Sequence, residues 1–190
     1  MGFLDILRGK RELKKPAPDR LFAMSTAQVT METAMGLRSA GKAAIVFQPL
    51  ATADFEGIVR DMEEVLKGTG EETGTTIEAR DDEFGYRWMV LEDPDFDDLV
   101  VGLNAVSSAL QGGGYGERVL CAVFAFRDAR DRPAYWIYNY KRGAFYPFVP
   151  ADGEQQRDNE RELKLKAQIG PELPVEPELE RWFPLWGIPI

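Results

Sequence analysis

An α+β fold, a single domain on a mostly antiparallel sheet with helices packed on one face, is predicted from three features of the sequence. Two stretches, around residues 55–66 and 96–110, repeat apolar residues at helical spacing. A continuous apolar run, Val119–Phe126, has the β-branched and aromatic content of a buried central strand. Pairs of shorter apolar runs, separated by brief polar turns, read as hairpins, which is not the strict alternation of a doubly wound sheet. The predicted order is (α)β-α-ββ-α-βββ-α. At 190 residues the chain suits one domain and can bury roughly 70% of its unfolded surface without staples.

The elements follow in order. Residues 1–18 form a basic amphipathic segment and linker. Phe3, Leu4, Ile6 and Leu7 precede Lys10, Arg11, Lys14 and Lys15 in a helix candidate over 3–15, and Pro16 and Pro18 close it. The α+β body spans 19–170. Its first part, 21–37, admits two readings. Ser25 could cap a helix with Ala27, Met31, Ala34 and Met35 on one face, while Val29, Thr30 and Thr33 also suit a strand; the helix is preferred. Gly41 opens a strand, Ala43–Phe47, which Pro49 stops.

Phe55, Ile58, Val59, Met62, Val65 and Leu66 share a helical face, with Asp54, Glu56 and Asp61 toward the end where the dipole favours negative charge. Gly68 and Gly70 are expected to end that helix. Thr75–Arg80 and Tyr86–Leu91 read as strands around a tip at Asp81–Gly85. Asp95 is the expected cap of the next helix, whose face is Phe96, Leu99, Val100, Leu103, Val106, Ser107 and Leu110, ended by Gly112–Gly114. After the central strand, Ala134–Tyr140 and Ala144–Val149 form a hairpin turning at Lys141–Gly143. Residues 154–169 make the last helix, with Leu163, Leu165 and Ile169 apolar amid charge. The segment 171–190 is an extended aromatic tail, rich in Pro and Trp, expected to pack across the body.

Composition removes most familiar chemistry. The chain has no histidine and one cysteine, Cys121. Ser-His-Asp and Cys-His catalysis, imidazole bases and most zinc sites are therefore absent, and only oxygen ligands remain for a metal. Cys121 sits mid-strand among apolar neighbours and reads as inert packing. Asp93–Asp98 resembles a calcium loop but has Asp98 where Gly is needed at position six and Asn104 where Glu is needed at position twelve. It reads instead as a helix start with acids matched to the dipole. Asp81, Asp82 and Glu83 read as a solvated hairpin tip. Gly112–Gly116 follows a helix and precedes a strand, the reverse of a phosphate cradle. No catalytic residue, no metal site and no cofactor is expected.

Charge is uneven. The net charge is −9, yet residues 1–20 carry six cations against three acids, and residues 51–100 hold 16 acids against four arginines and lysines. An acidic body repels phosphate backbones, so no nucleic-acid partner is expected. No signal peptide or membrane span is recognisable, and Ile6 stands where myristoylation needs Ser or Thr. The expected location is cytoplasmic, with peripheral contact at the inner face of the membrane through the N-terminal segment.

Two surfaces are candidates for binding. The aromatic hairpin offers Tyr138, Tyr140, Lys141, Arg142, Phe145 and Tyr146, and the tail adds Trp182, Phe183 and Trp186. The ordinary alternative for the hairpin is sheet packing with a basic turn. The second surface is Phe3, Leu4, Ile6, Leu7, Lys10, Arg11, Lys14 and Lys15, which suit a membrane surface or a partner groove; the ordinary alternative is a solvated terminus.

Several strings give the chain a family resemblance. They are Met-Gly-Phe-Leu-Asp at 1–5, Asp-Arg-Leu-Phe-Ala at 19–23, Tyr-Lys-Arg-Gly-Ala-Phe-Tyr-Pro-Phe at 140–148, Arg-Asp-Asn at 157–159 and Pro-Val-Glu-Pro-Glu-Leu-Glu-Arg-Trp-Phe-Pro-Leu-Trp-Gly at 174–187. With these the chain resembles the PspA-associated PspAB family over nearly its whole length. The resemblance implies a setting, the phage-shock response to envelope stress, and an accessory role with no catalytic residues to transfer. It implies PspA-type or HtpX-type membrane stress proteins as partners. The reading that follows is a non-catalytic interaction protein. A lipid sensor anchored by residues 3–15 and a small carboxylate-dependent hydrolase stand as alternatives.

Overall fold

The computed structural model describes residues 18–153 and 155–190. The N-terminal helix candidate, with Phe3, Leu4, Ile6, Leu7, Lys10, Arg11, Lys14 and Lys15, lies outside the described residues.

A 3-10 turn at Pro18–Phe22 leads into α1, Ala23–Ala34. The preferred helix reading holds, but Ser25 is not its cap: the turn itself delivers the chain at Phe22 in helical geometry, with no side-chain cap. Leu21, Met24, Ala27 and Met31 form the buried stripe, and Ala34 is exposed. Strand β1 runs Arg38–Phe47, longer than expected because Gly41 does not open it. Gly41 sits at a bulge with φ +67°, where a Cβ would stand 3.1 Å from the carbonyl oxygen of Asp93.

Helix α2, Ala53–Thr73, starts at Thr52, whose hydroxyl accepts from the Phe55 N–H. It runs through Gly68 and Gly70 and stops at Gly74, φ +94°. The expected stop was misplaced because Gly70 serves close packing: a Cβ there would lie 2.3 Å from the Thr75 carbonyl oxygen. Strands β2, Thr76–Asp81, and β3, Arg87–Glu92, form the expected hairpin. The Asp82 carboxylate ties its tip by accepting from the N–H groups of Phe84 and Tyr86 and from Trp88 Nε1. Helix α3, Phe96–Gly112, is capped by Asp95, and its whole expected face is buried.

Then come β4, Val119–Arg127, β5, Pro133–Asn139, and β6, Ala144–Phe148. Helix α4, Asn159–Ile169, begins five residues later than expected because Asp158 is the cap, accepting from the Arg161 N–H. The six strands order as β2-β3-β1-β4-β5-β6 and all pair antiparallel, so β4 and β1 are central.

Period-two alternation sends each strand's side chains to two different layers. Ile45, Leu91, Phe124, Trp136 and Phe145 point to the face covered by the helices. Val46, Trp88, Val123, Ile137 and Phe148 point to the other, where Trp182, Leu185, Trp186, Ile188 and Ile190 meet them. Cys121 lies buried in that second layer, where desolvation pushes its thiol up to about 12, far from a reactive thiolate.

Candidate functional site

Three of the strings that carry the family resemblance meet at one edge of the sheet. Strand β6 is an edge strand, and Val175 sits beside Phe145 in a parallel bridge. The Phe145 N–H donates to Pro174 O, and the Glu176 N–H donates to Phe145 O, both at 2.8 Å. Part of an otherwise open edge is thereby closed by residues 174–176.

That bridge places Glu176 indoors. Its carboxylate accepts from Arg142 Nε at 2.9 Å and from the Glu178 N–H at 3.2 Å. Burial pushes the Glu176 carboxyl up, but the hydrogen bonds from Arg142 and Glu178 outweigh it and hold the group below its usual range. The Glu176 carbonyl accepts from Trp182 Nε1 at 3.0 Å, which fixes the indole over Tyr146 in a stacked arrangement. Lys166 of α4 stands over the same indole, 5.5 Å from its ring centre.

A second anchored pair closes the corner. Arg157 Nε donates to both carboxylate oxygens of Glu162 at 3.0 Å, and Arg157 Nη1 donates to Trp182 O at 2.7 Å. Glu162 also accepts from the Val149 N–H at 2.9 Å. Burial raises the Glu162 carboxyl, against the opposing pull of Arg157 and the Val149 N–H. The Arg157 guanidinium lies over the Phe148 ring.

Between α4 and the tail these contacts leave a cleft of about 350 Å³, lined by Arg157, Asn159, Glu162, Leu163, Leu179 and Trp182. Its mouth is apolar. Leu163 and Leu179 are 46% and 48% exposed, and the neighbouring Phe183 is 56% exposed. The Phe183 carbonyl accepts from the Tyr146 hydroxyl, so its backbone is fixed while its ring faces water.

The structure sorts the expected hairpin residues. Tyr138, Tyr140 and Phe145 are buried in the layer beneath the helices, so the expectation of an accessible face at these rings is corrected: they are core. Tyr146 and Trp182 are also buried, in the opposite layer, and form floor. Lys141 and Arg142 are exposed, although Arg142 is spent on Glu176; Trp186 is half-buried against Phe148. Phe183 faces solvent.

Sequence reasoning missed Arg157, Glu162, Leu179 and Glu176. One signal was available. Leu165 and Ile169 are four apart and share a face, whereas Leu163 is two residues from Leu165 and so points nearly opposite.

The cleft has little to offer hydrolysis. Glu162 is the only acid in its lining, and an arginine neutralises it. A second cleft, about 450 Å³, holds Glu56 and Glu63, but Arg60 and Arg87 line it with them. No group of three or more His, Cys, Asp or Glu among the described residues could hold a metal ion. No described helix is long and apolar enough to cross a membrane.

A family model described as PspAB, PspA associated protein B, matches residues 1–190, the whole chain. No curated protein and no solved structure matches.

Proposed function

The chain belongs to the PspA associated protein B family, and we propose that it serves the phage-shock system as a non-catalytic accessory protein, binding PspA through the cleft between α4 and the C-terminal tail. The family description fits an accessory role, and the mention of PspA in it supports PspA as the partner. The observation that carries the choice of surface is the cluster of Leu163, Leu179 and Phe183, large apolar side chains left in water around a concave site. Scattered exposed apolar residues need no explanation, but a group around a pocket with a rigid floor is what an interface anchor needs. Here the floor is Trp182, and the ion pairs of Arg157 and Arg142 hold it in place. Little ordering cost is then left to be met on binding.

The test is a titration of purified PspA with the wild-type chain, Leu179→Glu and Phe183→Ala. Each substitution is expected to weaken binding at least about tenfold, the scale of a lost interface anchor. Val29→Glu serves as a control, since Val29 is equally exposed but lies on α1. Unchanged affinity in both cleft variants, or equal loss in the control, would remove this surface from consideration.

A further inference from the structure

The sheet has two edges, and they differ. Residues 174–176 bridge onto β6, whereas no strand among the described residues lies beyond β2. Two backbone hydrogen bonds fix which groups β2 leaves open. The Asp82 N–H donates to Tyr86 O, and on the other side of β3 the Asp93 N–H donates to Gly41 O, both at 2.9 Å. Alternation along an antiparallel ladder then turns the backbone of Thr76, Glu78 and Arg80 toward β3, and turns the N–H and C=O groups of Ile77, Ala79 and Asp81 outward. Among the described residues nothing bonds to these outward groups. Glu78, Ala79, Arg80 and Asp81 are all exposed, so neither layer walls off this length of edge.

Charges on an open edge ordinarily keep it single. On β2 they favour pairing in one register. Rotating a second copy of β2 about a two-fold axis at Ala79 sets Ala79 against Ala79 and Ile77 against Asp81, in both directions. These are the residues with outward groups, so the pairs exchange about six hydrogen bonds. Between them Glu78 falls opposite the copy's Arg80, and Arg80 opposite the copy's Glu78. Both are non-hydrogen-bonded pairs, the closer kind, with Cα atoms about 4.5 Å apart.

Within one chain Arg80 Nη2 already meets Glu78 at 2.7 Å on the same face of the sheet. Pairing across the axis completes a ring of alternating charge. A shift of register loses this. With the axis at Glu78, two glutamates oppose each other; with the axis at Arg80, two arginines do. Either shift also leaves an outward residue of β2 without its match.

We propose that β2 is a self-recognition edge, through which two copies of this chain pair antiparallel over Ile77–Asp81 and join their sheets into one. The contact is a single short strand, and the surplus of acids in residues 51–100 opposes the approach of two copies, so the dimer is weak. The cleft beside α4 lies near β6, at the far edge, and stays open in both copies.

Sedimentation of the full-length chain from about 1 µM to about 1 mM, the range of weak association, tests this. The expected result is a shift from monomer to dimer as concentration rises. Ala79→Pro removes an outward N–H without touching the bonds to β3, and should raise the dimer Kd at least about tenfold. Glu78→Arg and Arg80→Glu, each alone, set like charges across the axis and should weaken the dimer by a similar factor. An equimolar mixture of those two variants should recover it, because each Arg then faces a Glu of the other chain while the contact within each chain stays broken. A wild-type chain that is monomeric at about 1 mM overturns the proposal. So does a dimer that tolerates Ala79→Pro, or a mixture no more associated than either charge variant alone.

Discussion

On one face of the sheet, helices lay apolar stripes over Ile45, Leu91, Phe124 and Trp136; on the other, a tail with no helix longer than a 3-10 turn covers Val46, Trp88 and Phe148. The helical layer satisfies its own backbone, so what it gives the sheet is almost pure apolar contact. The tail satisfies few of its backbone groups internally. It is held instead at separate points: the bridge at Val175, the Arg142–Glu176 pair, the Trp182 indole and the Arg157 contact to Trp182 O. Its prolines, Pro171, Pro174, Pro177, Pro184 and Pro189, reduce the freedom lost on ordering. A layer of stripes should fail as a whole, and a layer of points should fail locally.

The largest expected effect is in the helical layer. Phe124 is fully buried on the central strand and packs against Phe96. Phe124→Ala should cost about 3–5 kcal/mol of global stability, read as a shift of the denaturant midpoint. Trp182→Ala removes a larger side chain yet should lower global stability by less, about 2 kcal/mol, because the tail can leave without the sheet unfolding. Amide exchange would show tail protection collapsing while β4 stays protected. Equal global losses for the two variants would break the contrast between the layers.

That contrast was partly legible in the sequence. The face of α3 could be read residue by residue, because six apolar positions and Ser107 at helical spacing between an Asp cap and glycines leave one solution. The central strand was legible because Val119–Phe126 is apolar without interruption. Gly70 misled, since its role depends on the Thr75 carbonyl brought close by the return of the chain. The aromatic hairpin misled for a related reason. Period-two alternation assigns Tyr138 and Tyr135 to opposite faces but cannot say that both faces will be covered. No local pattern marks Glu162 and Glu176 for burial; only the arrival of Arg157 and Arg142 explains it.

A smaller effect sharpens the comparison at one anchor. Arg142→Ala leaves Glu176 buried without its cation. The full cost of breaking a buried pair is about 3–5 kcal/mol. Arg142 is itself 42% exposed, so water recovers part of it, and about 1–2 kcal/mol is expected. The loss should appear as tail release in exchange or limited proteolysis. A matching loss of protection in β4 would mean that the tail and the sheet unfold as one unit.

The smallest effect separates the two buried acids by the sign of their pH dependence. Glu176 titrates below the ordinary value of 4.5 in the fold, so its contribution is present above about 4.5 and is lost as pH falls through the lowered value. Glu162 titrates above 4.5, so its contribution is complete below about 4.5 and is lost as pH rises through the raised value. Glutamine does not titrate. The stability of wild type relative to Glu176→Gln should therefore increase from pH 3 to pH 7, and that relative to Glu162→Gln should decrease. Denaturant melts of the three proteins across this range measure both slopes. Opposite slopes mean that the arginine governs the tail's carboxylate while burial governs that of α4, and slopes of one sign would put both acids under the same control.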